Sequence, residues 1–338
     1  MAADLTSPRV GIVGAGLMGR WHADAAQHVG SQVVVVVDAD AKRASALSRR
    51  LHGRPAAATD LGQAIREQRV DVVHVCTPLA SHETLAREAM LAGAHVLLEK
   101  PLTPDGPSTE RLFALATTQR VLLCPVHQFL FQQGVLAAQR ALPTLGDVHH
   151  LELVACSAGA ELPGAAPPES VALDILPHGL ALAGRLLERE LASSAWVVSD
   201  GRDGEIRALA QVDHTSVMLT VSMGSRPTEN SLTIRCDRGT VRSDLFHGFA
   251  TIERGSTSRF GKVVRPFGAA TAQLHAASTN LIGRAVRREP AYPGLRELVR
   301  RFHLAVQGRG DNPISAEESI DVARVRDTIS RARALRSS

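Results

Sequence analysis

The sequence predicts an α/β protein in two parts. The first is a doubly wound parallel sheet covered by helices. The second is an α+β region built on an open, mainly antiparallel sheet. Three observations point there. Valine-rich apolar runs alternate with helical stretches through the first third. A glycine-rich turn joins the first run to the first helix. From about residue 146 the long helical spacers give way to closely spaced strands.

Val10 to Val13 is the first strand, and a helix follows the turn through His28. Val33 to Val37 is an unbroken β-branched run that ends in Asp38, as expected of a strand buried on both faces. Residues 41–52 read as helix and Val72 to Cys76 as strand. His82 to Ala92 is helical, with Gly93 as its stop. His95 to Leu98, helix 106–118 and strand 121–124 complete the series. The second part begins with a strand from His149 to Cys156, a Pro/Gly/Ala-rich loop at 157–170 and helix 171–188. Strands near 194–199, 206–212, 215–223, 230–236, 239–243 and 248–253 follow, with Gly-containing turns between several of them. Short turns imply antiparallel neighbours and one face covered by helices. Residues 270–288, 294–307 and 315–335 read as closing helices. The expected domains are 1–126 and 127–338, with the last helices packing back on the first.

A chain of 338 residues is long enough for two such cores. A net charge of +4 is weak for a nucleic-acid binder, and the arginines after residue 281 are interspersed with acids. No nucleic-acid partner is expected. No apolar run nears the length of a membrane span, and Met1 to Arg9 does not read as a secretory signal, so no membrane role is expected. Cys76, Cys124, Cys156 and Cys236 lie far apart and form no C-x-x-C pair, which fits a reducing cytoplasm. The histidines show no metal-ligand spacing, so no metal is expected.

The turn reads Gly14-Ala15-Gly16-Leu17-Met18-Gly19. A lone G-x-G-x-x-G is a weak signal. Here it leaves a strand and opens a helix, and Asp38 closes the next strand, which is the Rossmann dinucleotide fingerprint. Gly14 permits the tight turn, Gly16 a close backbone approach to a pyrophosphate, and Gly19 close helix–strand packing. The helix N-terminus at Leu17 and Met18 offers N–H groups to phosphate. Asp38 suits ribose hydroxyls and repels a 2′-phosphate, which favours NAD. Lys42 and Arg43 keep NADP within reach.

Further stretches carry chemistry. Lys100 ends a parallel strand, where doubly wound sheets bind ligands, and Pro101 restricts its backbone. Only Lys42, Lys100 and Lys262 are lysines among 38 basic residues, so a lysine at this position is informative. Its ammonium can donate to one oxygen and stabilise alkoxide character. Asp174 and His178 stand one turn apart and share a helix face. His178 can take a hydroxyl proton while hydride leaves the same carbon. Asp174 orients it or binds a neighbouring hydroxyl. A capping or salt-linked Asp/His pair is the plainer alternative.

Taken with the glycine turn, the stretches Cys76-Thr77-Pro78 with His82, Ala92 to Pro101 with its Glu99-Lys100-Pro101, Leu173 to His178 and Asn312 to Glu318 resemble the glucose–fructose oxidoreductase, inositol dehydrogenase and MocA family. The resemblance spans nearly the whole chain. It implies an NAD(P)-dependent oxidoreductase acting on a secondary alcohol or ketone of a sugar, cyclitol or related polyol. It implies Lys100, Asp174 and His178 as the catalytic group. Thr77 and Pro78 would line the nicotinamide side, Glu99 would contact the cofactor ribose or hold Lys100, and His82 would join the cofactor site or cap its helix. It also implies a homodimer or homotetramer assembled through the open sheet.

The chain departs from the family in places. Val126 to Phe131 replaces an Asn-Tyr-Arg-Phe-like stretch, so His127 and Gln128 become candidate substrate contacts. Pro168 to Val171 replaces a Gly-Gly pair, and Ala181 stands where an aspartate is usual. Aromatic residues are only 3%, few for stacking on sugar rings. Two other readings share the fold: an imine reductase, and a catalytically silent cofactor-binding regulator.

Overall fold

The computed structural model describes residues 7–157, 166–202, 204–255 and 258–337. Residues 158–165, most of the Pro/Gly/Ala-rich loop, lie outside the described residues. The chain divides into two compact units. One runs to Val126 and includes Leu295–Ala323; the other is His127–Gly294 with the residues from Arg324 onward.

The first unit contains β1 (Arg9–Val13), α1 (Leu17–His28), β2 (Gln32–Val37), α2 (Ala41–Ser48), β3 (Ala56–Ala58), α3 (Leu61–Gln68), β4 (Val72–Val75), α4 (His82–Leu91), β5 (His95–Leu98), α5 (Gly106–Gln119) and β6 (Leu123–Pro125). Its sheet has the order β3-β2-β1-β4-β5-β6, and every pair is parallel. The order reverses between β1 and β4, and ligands bind doubly wound sheets at that point, beyond the carboxyl ends of the strands. The valines of β2 and β4 are buried on both faces. Asp40, Asp60 and Asp105 each accept backbone N–H bonds at the starts of α2, α3 and α5, and so fix where those helices begin.

The structure corrects the expected elements in several places. The helix expected over 41–52 ends at Ser48, whose hydroxyl donates to the Pro55 carbonyl at 2.5 Å. The edge strand Ala56–Ala58 and the helix after it were not expected, because three alanines carry no strand pattern.

The second unit holds α6 (Gln133–Leu145), β7 (Val148–Cys156), α7 (Pro168–Leu187), β8 (Trp196–Asp200), β9 (Glu205–Val212), β10 (Thr215–Ser222), β11 (Glu229–Cys236), β12 (Gly239–Asp244), β13 (Phe249–Arg254) and α8 (Arg259–Val286). Its sheet runs β13-β12-β11-β7-β10-β9-β8. All neighbours are antiparallel except β7 and β10, which pair in parallel at its centre, Leu153 opposite Leu219. Strand alternation turns Leu151, Leu153, Ile206, Ala208, Val217, Leu219, Leu232 and Ile234 inward. α7 packs on β7, β9 and β10. By length and composition α7 is apolar enough to cross a membrane, which the sequence reading overlooked; half of that stretch is buried in the unit. α8 begins eleven residues before the expected start, and α6 had not been expected.

Two closing helices follow, α9 (Leu295–Val306) and α10 (Ala316–Ser337). α9 joins the first unit by packing on α1, where Arg296 meets Asp24 at 2.9 Å. Ser315 and Glu318 form the expected capping box at the start of α10.

Candidate active site

The glycine turn is built by close approach. Gly14 has φ +95°, and a Cβ there would lie 2.6 Å from the Cys76 carbonyl. A Cβ on Gly19 would collide with the Gly14 carbonyl, so α1 starts directly on the turn. Gly16 differs. Near its would-be Cβ lies only the flexible Arg43 side chain, at 3.5 Å. Gly16 is also the N-cap of α1, and no side chain caps that helix. Leu17 is exposed and Met18 half-buried. An uncapped helix N-terminus behind an open glycine fits a pyrophosphate, so the residues present suit a dinucleotide.

Asp38 closes β2 and is nearly buried. Its carboxylate accepts from Ala15 N–H at 2.7 Å and from Asp40 N–H at 3.0 Å, tying the turn to the strand. Arg43 reaches within 3.7 Å of it, so a cation and an anion stand side by side at the edge of the turn.

The next two turns are joined by one side chain. His82 is buried, with Nδ1 2.8 Å from the Pro101 carbonyl and Nε2 2.7 Å from the Thr77 carbonyl. The ring is a strut between the turn after β4 and the turn carrying Lys100. Ser81 Oγ donates to the Pro78 carbonyl at 2.9 Å and accepts from the Thr77 hydroxyl at 2.8 Å, closing the first of these turns. Burial, with Glu99 nearby, pushes the Cys76 thiol up, so it stays protonated.

Glu99 lies buried beneath Lys100. Its Oε2 accepts from the Lys100 backbone N–H at 3.2 Å. Its Oε1 accepts from His22 Nε2, also at 3.2 Å. Burial pushes this carboxyl up, but the His22 hydrogen bond, with the charge and backbone N–H of Lys100, outweighs burial and holds it below its ordinary value.

His22 opens a buried chain that the sequence reading missed. Its Nδ1 meets His74 Nδ1 at 3.2 Å, His74 Nε2 meets His303 Nε2 at 2.9 Å, and His303 Nδ1 meets Ser31 Oγ at 2.7 Å. A carboxylate only accepts, so His22 donates to Glu99 and accepts from His74. His74 then accepts from His303, and His303 accepts from the Ser31 hydroxyl. One assignment of neutral rings satisfies every bond. Burial, then His303 and His22, holds His74 well below its ordinary value. Burial, then His22, holds His303 at about 4. The available signal was three histidines at buried positions, His74 inside the valine run of β4 among them.

In the second unit α7 carries Asp174 and His178 one turn apart. His178 is buried and stacks on Phe129 at 4.5 Å, with His127 edge-on at 6.0 Å. The structure thus gathers His127 and His178 around Phe129. Gln128 is buried beside them in sequence, and its Oε1 has no hydrogen-bond partner among the described residues. An apolar cleft runs from Phe129 and His178 to Leu153, Leu219 and Leu245. An imidazole and a carboxylate on one helix can hold and move a proton and bind hydroxyls.

Residues 8–127 match the family described as "Oxidoreductase family, NAD-binding Rossmann fold". The UDP-N-acetylglucosamine 3-dehydrogenase of Acidithiobacillus ferrooxidans is 32% identical over 177 residues, 45% of this chain and 55% of that one. The inositol 2-dehydrogenase of Corynebacterium glutamicum (strain R) is 39% identical over 111 residues, 32% of this chain and 33% of that one. These matches span about half or less of the relatives' own length. Solved structures extend the likeness of fold. That of the Acidithiobacillus enzyme covers 97% of this chain and 98% of its own, at a TM-score of 0.76 and 20% identity. That of a 3-ketoreductase from Actinomadura kijaniata, in complex with TDP-benzene and NADP, covers 97% of this chain and 98% of its own, at 0.74 and 20%. The match to the oxidoreductase family with an NAD-binding Rossmann fold thus covers residues 8–127, and over the rest of the chain the likeness to solved structures is one of fold.

Proposed function

We propose that the protein is an NAD(P)-dependent oxidoreductase that moves hydride between nicotinamide and a secondary alcohol or ketone of a sugar, cyclitol or related polyol. The observation that carries this reading is Lys100, held at the carboxyl end of β5 by Glu99 beneath it and by the His82 strut behind it. The matched relatives are named for a nucleotide sugar and a cyclitol, which supports that substrate class.

Bound nicotinamide accepts or gives the hydride. The chain's own residues handle the oxygen and its proton. Lys100 Nζ donates to the reacting oxygen and stabilises its negative charge. His178 takes the hydroxyl proton during oxidation and returns it during reduction. Asp174, on the same face of α7, orients His178 or binds the adjacent hydroxyl. Gly16 and the start of α1 hold the pyrophosphate, and Asp38 binds the adenosine ribose. Copies assemble through the open face of the second sheet, where Val197 and Leu209 are exposed.

Titration with NADH and NADPH, followed by a screen of sugars, nucleotide sugars and cyclitols at the nicotinamide absorbance, tests the reading. Cofactor binding with turnover on a secondary alcohol supports it. Binding without turnover on any of the panel overturns it in favour of a silent regulator. His178→Ala should abolish turnover while cofactor affinity stays within a few-fold; surviving turnover places the base elsewhere.

A further inference from the structure

α8 is amphipathic in the wrong sense for a helix that serves its own core. Its polar side faces the unit. Arg265 pairs with Glu253 of β13, Asn280 donates to the His247 carbonyl at 3.0 Å, and Arg284 donates to the carbonyls of His247, Glu289 and Pro290 at 2.9–3.1 Å. Small residues on that side, Ala269 and Ala272 among them, line the groove over β12 and β13. The opposite side carries Val263, Phe267, Leu274 and Leu281, exposed by 69–75%. Val264, Ile282 and Val286 flank them and are exposed too. A surface helix of a lone subunit buries its apolar stripe and wets its polar one. Here the stripe is on the outside.

The spacing of the stripe says what covers it. Phe267, Leu274 and Leu281 repeat every seven residues, as do Val263, Ala270 and Ala277. These are the a and d positions of a heptad seam, with the bulkier side chains in one register and the smaller in the other. Set antiparallel to a copy of itself, the helix meets large with small in each layer. Phe267 faces Ala277, Leu274 faces Ala270 and Leu281 faces Val263, and two-fold symmetry repeats each pair. The alanines let the two backbones come close. We propose that α8 is an interaction surface for a second copy of this chain, pairing antiparallel with α8 of that copy in this register.

Two further observations favour a second copy over a lipid surface. The exposed apolar side chains of α8 present on the order of 800 Å², about what one partner gives to an interface of standard size. A helix lying in lipid headgroups turns its basic residues toward them. Arg265 and Arg284 are instead spent on the body of the protein, which also keeps them off the seam. The pairing does not depend on the proposed chemistry, and it uses a different surface from the open face of the sheet.

Sedimentation of the full chain over a range of concentrations tests the pairing. Phe267→Ala empties two layers, and Ala277→Phe sets phenylalanine against phenylalanine. Each should weaken self-association by at least about tenfold. The double variant Phe267→Ala/Ala277→Phe restores one large and one small side chain to each layer and should return to within about threefold of the wild type. All these side chains lie outside the core, so circular dichroism should be unchanged. If the sheet also pairs copies, the single variants should halve the assembly rather than abolish it. The proposal is overturned if the wild type sediments as a 36.0-kDa monomer, if the single variants match the wild type, or if the double variant fails to recover. Flotation of the wild type with phosphatidylserine vesicles while it stays monomeric in solution would also overturn it, in favour of a membrane.

Discussion

The two units hold their polar groups in different ways. In the first, the groups around the glycine turn and Lys100 are bonded to main chain or to one another. Asp38 is spent on Ala15 and Asp40, His82 on Thr77 and Pro101, and Glu99 on Lys100 and His22. In the second, His178 lines an apolar cleft, and Gln128 keeps a buried oxygen without a partner among the described residues. A site that must bind one invariant cofactor gains from being fully pre-arranged. A site that must suit a particular substrate can keep polar atoms in reserve, because the substrate supplies their partners.

The sharpest way to break this comparison is Lys100→Ala. Turnover should fall by about a thousandfold, while NADH affinity, read by fluorescence titration, stays within a few-fold. Unchanged turnover would remove Lys100 from the chemistry. Next come the glycines. Gly14→Ala must relieve a collision with main chain at positive φ and should cost about 3 kcal/mol in urea unfolding. Gly16→Ala should leave stability within about 1 kcal/mol and weaken cofactor binding instead. Equal losses of stability at both would show that Gly16 is part of the scaffold and not of the phosphate site.

Acid should act on the first unit. His303 has a folded value of about 4 against 6.5 for a free side chain, so the unfolded chain binds its proton first. The stabilisation is complete above pH 6.5 and is lost as the pH falls toward 4. At pH 4.5 the loss should be about 2.5 kcal/mol relative to neutral pH. His303→Gln should flatten this slope in urea unfolding at the two pH values; an unaltered slope would place the acid sensitivity elsewhere. The smallest effect is expected at Arg43, which stands beside Asp38. Arg43→Ala should weaken NADPH binding several-fold and leave NADH nearly unchanged. A parallel loss of both would make Arg43 a general phosphate contact.

What was legible in the sequence was local. The glycine turn, Glu99-Lys100-Pro101 and the Asp174/His178 pair each lie within a few residues, so their spacing carries their geometry. What was not legible depends on the fold. His22, His74 and His303 become neighbours only after a parallel sheet and a returning C-terminal helix bring them together. The bridging place of His82 was hidden because its second neighbour, Pro101, lies on the neighbouring strand's turn. The parallel pairing of β7 with β10 was hidden because the short turns nearby imply only antiparallel neighbours. The start of α8 was missed because Pro266 and the basic residues around it obscure the helical pattern.

The chain of imidazoles has a consequence for how this sequence can change. Each ring spends one nitrogen giving and the other receiving, and the order of roles runs one way from Ser31 to Glu99. Replacing one ring by a hydrocarbon strands a donor on one side and an acceptor on the other, both far from water. Replacing all of them together strands only the Ser31 hydroxyl at one end and leaves Glu99 as a bare buried anion at the other. Substitutions along this line are therefore tolerated as sets that also neutralise or re-pair position 99. Four positions, scattered from residue 22 to residue 303, thus constrain one another as a single unit.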